Sequence, residues 1–233
     1  MQAEISLRRS QVYALLSTAF LYPQENWTED LALLARLADE LGVRAEAPQA
    51  ACDLETLQAE HRRTFGLTGS LCYETEYGAA NAFAQGQWMA DLAGFYRAFG
   101  FQLGGQVRER PDHIAAELEF MHLLCLKACL AAQQGPAEHL EVCLQAQRRF
   151  LAEHLARWVP MFARVLAAQP GEESSGALFR QLAAFTAAFV TQDADRLGAK
   201  VEAMDPQTVR PTPFEQDFSC ATCVLNGMER GEG

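Results

Sequence analysis

Long apolar runs are missing from this chain of 233 residues, and with them goes the commonest reason to place a protein in a membrane. No stretch approaches the ~18 apolar residues of a spanning helix. The nearest candidate is Val12 to Leu21, preceded by Arg8-Arg9. It is broken by Ser17 and Thr18, stops at Tyr22-Pro23 and has no small-x-small cleavage site after it, so it reads as a helix of the mature protein rather than an export signal. Positive charge is also scarce. Nineteen basic against 30 acidic residues leave a formal charge of −11, which repels nucleic acid and anionic lipid and suits a cationic partner. Sustained alternation in twos is absent, which excludes a β-rich fold. There is no Gly-rich phosphate loop, no Gly-x-Ser-x-Gly, no His-Glu-x-x-His and no paired carboxylates in a cleft-like setting, so no enzyme class has a motif to support it. The seven cysteines are odd in number and scattered, unlike a secreted disulfide framework, and favour a reducing cytoplasm.

What is present is helical periodicity over almost the whole length, and at 49% hydrophobic content it can bury one sizeable core. The expected fold is all-α, a single globular bundle of about eight helices over residues 1–204, followed by an irregular Pro- and Gly-containing tail over 205–233. The first helix spans Glu4 to Leu21, with Ile5, Val12, Leu15, Leu16, Ala19 and Phe20 inward. Asn26 or Thr28 caps a second, which Gly42 closes; Asp53 caps a third, which Gly66 ends. Leu67 to Tyr77 reads as an ordered loop. A helix from Gln87 to Phe99 follows, then a Gly-rich connection and a long helix through Ala132, opened by Pro111 at its first position. Pro160 is expected to kink or split the helix from Ala137 to Ala168 after Trp158. Ser174 or Ser175 starts the next, to Val190, and Asp193 a short last one to Met204.

Nine of the 22 aromatic residues fall between Tyr73 and Phe120. Trp88, Leu92, Phe95 and Phe99 form one stripe that reads as core packing. On the other side Gln87, Asp91, Gly94 and Ala98 line up, either to admit a partner's backbone or as a plain solvent face. Asp112 and His113 fall together at what reads as an exposed helix start, where the positive helix end keeps His113 neutral. Glu119-x-x-His122 is half of a di-iron motif without a second half. His122, Cys125 and Cys129 share a face, and buried cysteine behaves as a small hydrophobe. Cys220 and Cys223 have the spacing of half a zinc site or of a redox pair; they are the weak metal candidates, and a metal- or redox-active helical protein is the alternative function.

Three segments in order, Tyr73-Glu74-Thr75-Glu76-Tyr77, Met89 to Gly100 and Pro111-Asp112-His113 continuing as Ala116-Glu117-Leu118-Glu119-Phe120, resemble the TorD/DmsD/NarJ family of chaperones that mature molybdenum-containing oxidoreductases. The tail cysteines look closer to a subgroup serving dehydrogenases and reductases of the dimethyl sulfoxide reductase class. The resemblance implies an all-α cytoplasmic chaperone without catalysis. Its partner would be the apo catalytic subunit of a molybdenum oxidoreductase and that subunit's N-terminal leader, often a twin-arginine signal, held until the molybdenum cofactor is inserted. It implies no resident cofactor, with transient contact to the client's molybdenum cofactor left open, no nucleic acid, no stable membrane insertion, and a monomer or dimer. By the same resemblance Asp112 and His113 are expected to contact the leader, with Tyr73, Tyr77, Asp91 and Glu117 as neighbours.

Overall fold

Helix starts and stops are set by local chemistry, and the computed structural model describes residues 1–66, 71–78, 82–102, 109–169, 176–202 and 204. Asn26 Oδ1 accepts from the Thr28 amide at 3.0 Å and opens a short 3-10 turn that leads into α2 (Leu31–Glu40), α1 being Gln2–Phe20. Asp53 Oδ1 accepts from the Thr56 amide at 2.8 Å and opens α3 (Leu54–Phe65). Gly66 ends that helix at φ 70°, a left-handed conformation that a side chain would resist. A second 3-10 turn covers Glu74–Tyr77. Then come α4 (Ala82–Ala98), α5 (Ile114–Gln134), α6 (Ala137–Phe150), α7 (Ala156–Ala168) and α8 (Ala177–Leu197). The fold is all-α, with no β-strand among the described residues; a lone antiparallel bridge joins Tyr73 to His113.

Three expectations are corrected. Pro160 neither kinks nor splits its helix after Trp158: it lies inside α7, and the irregularity is a π turn at Leu151–Leu155 that joins α6 and α7 into one rod. The reason is phase. Phe150, His154, Trp158 and Phe162 are all buried. Steps of four residues drift about 40° each on an α-helix, so the last of them would point about 120° away from the first. One π turn takes up a residue's worth of rotation and returns all four to the same side. Asp193 does not cap a short last helix, since α8 runs through it to Leu197 and ends at Gly198, φ 68°. Nor does Pro111 open α5, which begins three residues later.

The main layer is α1 laid along α5, with α6 on the other flank of α5 and α7 against α8. One continuous apolar core runs through these helices, and Tyr13, Phe20, Phe65, Phe120, Phe150, Trp158, Phe162, Phe179, Phe185 and Phe189 are all fully buried in it. Each such side chain contributes roughly 1.5–3 kcal/mol by leaving water. Within this core Arg9, half of the Arg8-Arg9 pair, is buried. Its guanidinium donates to both oxygens of Asp193 at 2.6 and 2.7 Å, and Tyr13 Oη–H donates to the same carboxylate at 2.7 Å. The ion pair ties the first helix to the last. Of the Trp88 stripe, Leu92 and Phe95 are buried, while Trp88 and Phe99 are only half-buried.

Candidate functional site

The start of α5 is buried, not exposed, because the 71–78 segment is laid across it. The Glu74 amide donates to the Asp112 carbonyl at 2.9 Å, and the Ile114 amide to the Cys72 carbonyl at 2.8 Å. Side chains then lock the crossing. Asp112 accepts from Thr75 Oγ1 at 2.7 Å and from Arg110 Nη2 and Nε at 2.6 and 3.0 Å, and it has no solvent exposure. Arg110 also lies over the Tyr73 ring, 4.5 Å from its centroid, and Tyr73 Oη–H donates to Glu109 at 2.8 Å. His113 is the N-cap of α5 rather than a residue of its first turn: Nδ1 accepts from the Ala115 amide at 3.1 Å, which puts the ring proton on Nε2. Burial pushes its pKa down to about 4, so it is neutral, and desolvation outweighs the pull of Glu109 and Asp112. Neutrality was expected from the helix end; burial is the larger cause.

Tyr77 is fully buried, packed on Trp158 and Phe162, and its hydroxyl donates to the Leu71 carbonyl at 2.8 Å. Leu71 itself is held at φ 77°, with its amide donating to Glu76 Oε2 at 2.6 Å. Burial raises the Glu76 carboxyl to about 7, against the opposing effect of that amide. Glu117 lies in the first turn of α5, fully buried. One of its oxygens accepts from Trp158 Nε1 at 3.1 Å and the other has no partner. Burial, followed by the charge of Glu74, raises its pKa well above the ordinary carboxylate value. The exposed helix start expected at Asp112 and His113 is therefore corrected: these two, with Tyr77 and Glu117, are inside, and what they touch in this structure is the fold itself.

The surface they support is a cleft of about 410 Å³ between α4, the α6–α7 rod and the segment after α8. Its walls include Glu74, Trp88, Asp91, Glu153, His154, Arg157, Lys200 and Glu202. Here the structure joins residues that are far apart in the sequence. His154 Nδ1 lies 3.0 Å from Glu74 Oε2, and its Nε2 lies 3.1 Å from Asp91 Oδ2. His154 is 4% exposed and Glu74 1%, whereas Asp91 keeps 55% of its side chain in solvent. Burial acts against the imidazolium, but the bonds and charges of Glu74 and Asp91 outweigh it and raise the His154 pKa above its ordinary value. Of the six residues named from sequence, Asp91 faces this cleft and Tyr73 is half-buried beside Arg110. Glu74, His154 and Arg157 were not named. Glu74 was in plain view within a recognised motif, whereas His154 lies mid-rod with no local signal at all.

Metal readings find little support. No group of three or more His, Cys, Asp or Glu among the described residues is arranged to hold a metal ion. Cys125 and Cys129 are buried, and His122 Nδ1 is engaged with Ser10, 2.8 Å from its Oγ. Cys220 and Cys223, with the tail from 205, lie outside the described residues. No helix among the described residues is long and apolar enough to cross a membrane.

Comparison with known proteins bears on the same region. Residues 23–164 match the model of the family described as nitrate reductase delta subunit. The chain is 38% identical over 116 residues to the selenate reductase assembly chaperone protein of Thauera selenatis, covering 49% of this chain and 59% of that one. It is 36% identical over 116 residues to the chlorate reductase assembly chaperone protein of Ideonella dechloratans, with the same 49% and 59% covered. A match to the chaperone protein TorD of Vibrio cholerae serotype O1 (strain M66-2) is weaker, 26%, but longer, covering 80% of this chain and 90% of that one. The chain thus spans about three-fifths of the length of the two assembly chaperones it matches at higher identity.

Proposed function

The chain belongs to the nitrate reductase delta subunit family, and from that premise we propose that it is a cytoplasmic, non-catalytic chaperone dedicated to one molybdenum oxidoreductase. It binds the apo catalytic subunit through that subunit's N-terminal leader and holds it until the molybdenum cofactor is in place. The observation that carries this reading is the agreement between the family and its relatives' names: two of them are named assembly chaperones of reductases. The cleft adds physical support. A leader of arginines followed by an apolar run needs carboxylates beside apolar and aromatic surface, and Asp91, Glu153 and Glu202 lie with Trp88 around one opening. The formal charge of −11 draws a cationic segment towards it.

The test is co-expression with the apo catalytic subunit of a candidate reductase, with and without its leader. The intact apo-subunit is expected to co-purify with the chaperone, and the leaderless form to be lost by at least about tenfold, the 1.4 kcal/mol of a single charged contact. Equal recovery of the two forms would remove leader binding from the proposal. Recovery of neither would remove the chaperone reading.

A further inference from the structure

Two neighbouring groups in the cleft that are suited to an arginine side chain, Asp91 and Trp88, are already engaged by cations of the chain itself. Asp91 is held by His154 Nε2 at 3.1 Å, and the Trp88 ring by the Arg157 guanidinium, 5.7 Å from its centroid. The two engaged groups are adjacent, since Trp88 and Asp91 are three residues apart on α4 and line the same opening. Asp91 is more than half in solvent, and Arg157, whose Nη1 donates to the Glu153 carbonyl at 3.3 Å, has a buried Nε with no partner. The His154 ring, by contrast, is fixed: it is boxed by Phe95 at 5.5 Å and Phe150 at 5.2 Å and anchored on the buried Glu74.

We propose that a guanidinium group of a bound peptide takes the place of these internal cations, pairing with Asp91 and lying on the Trp88 face, so that capture of the peptide releases His154 from Asp91 and is coupled to loss of a proton. This rests on the leader-binding reading and adds to it the subsite and its regulation. Guanidinium is the fitting chemistry because it is planar, pairs with a carboxylate through two donors and stacks on an indole, none of which an ammonium does as well.

The coupling follows from the charges around the imidazole. Glu74 faces it from the 3-10 turn, Asp91 from α4, Glu153 and Arg157 from its own rod, and Lys200 and Glu202 from the segment after α8. Arg149 lies over Phe95, and Asp112 and Glu117 act on Glu74 from behind. Both ring nitrogens of His154 face carboxylate oxygens, and those two partners raise its pKa against the opposing effect of burial. When an incoming guanidinium neutralises Asp91, one of the two is lost, and the remaining His154–Glu74 pair binds its proton less tightly. A proton leaves, and by linkage the peptide binds more tightly as pH rises.

Calorimetric titration of a synthetic peptide with two arginines ahead of an apolar run tests this, at pH 6 to 8 and in two buffers with different heats of ionisation. Affinity is expected to rise with pH, by up to about tenfold per unit for one proton released, with net proton release into the buffer. His154→Gln should still bind but with a flat pH profile and no proton release. Asp91→Asn, at a solvent-facing position that does not threaten folding, should bind at least about tenfold more weakly, the scale of one lost charge pair, and should also lose the slope. Replacing both peptide arginines by lysine should weaken binding to the wild type. A flat wild-type profile, or a slope unchanged in both variants, overturns the inference. If the full-length apo-subunit is meanwhile retained through its leader, the leader-binding reading stands without it; if nothing binds, both fall.

Discussion

Asp112 accepts from Thr75 and Arg110 with none of its surface in water, so removing the carboxylate takes a buried acceptor from both and leaves the 71–78 segment tied to α5 chiefly by its two backbone bonds. Asp112→Ala is expected to cost about 3 kcal/mol, the scale of a buried charge-assisted network losing one partner, read as a lower urea midpoint. Any loss of leader binding in that variant would then be secondary to a displaced Glu74. His113 supplies a pH prediction. Its folded pKa of about 4 lies below the ordinary imidazole value, so between about 6.5 and 4 the unfolded chain binds more protons and stability falls as pH falls. The full effect is about 3 kcal/mol. Glu74, Glu76 and Glu117 have raised values and act in the opposite direction. The informative quantity is therefore the difference between wild type and His113→Asn, which keeps a capping oxygen; it should shrink steadily as pH drops through that window. None of this was legible from Pro111-Asp112-His113 alone. The tripeptide has the composition of an ordinary helix start, and only the strand-like crossing of Tyr73 turns it into a buried staple.

Among the elements, helix existence was readable almost everywhere, because an apolar face of period 3.6 has to be buried against something. Termination was readable where a glycine or a capping side chain acts within its own turn, as at Asp53, Gly66 and Gly42. It was misread where the decisive partner is remote. Asp193 resembles a helix cap, yet it sits inside α8 because Arg9, 184 residues earlier, satisfies its charge. Pro160 resembles a break, yet the phase of four buried side chains placed the irregularity at Leu151–Leu155 instead. This has a testable consequence. A π turn is one residue inserted into an α-helix, so deleting Ala152 should restore a regular helix while keeping Trp158 and Phe162 in phase. That variant should fold with a modest loss of thermal stability, and its cleft should be altered around Glu153 and His154. Deleting Ala163, within regular helix, should turn the rest of α7 by about 100° and abolish folding. Equal behaviour of the two deletions by circular dichroism would contradict the phase argument.

At the scale of the whole molecule, the acidic balance and the missing apolar runs constrain the partners, and the periodicity constrains the fold class; both are sums over many residues, which is why no single position could mislead them. The all-α fold and the family are legible in the sequence, since they depend on repeated helical spacing and on three motifs in order. Which side of each motif faces water is set instead by how the chain packs. Asp112, His113, Tyr77 and Glu117 were recognisable as residues of importance, but their burial depends on the 71–78 segment crossing α5. The cleft exists because α4, the α6–α7 rod and the segment after α8 bring Asp91, His154 and Lys200 to one opening. Local sequence fixes local geometry through hydrogen bonds spanning a few residues. A binding surface is set by contacts between residues tens of positions apart, and those are determined by packing.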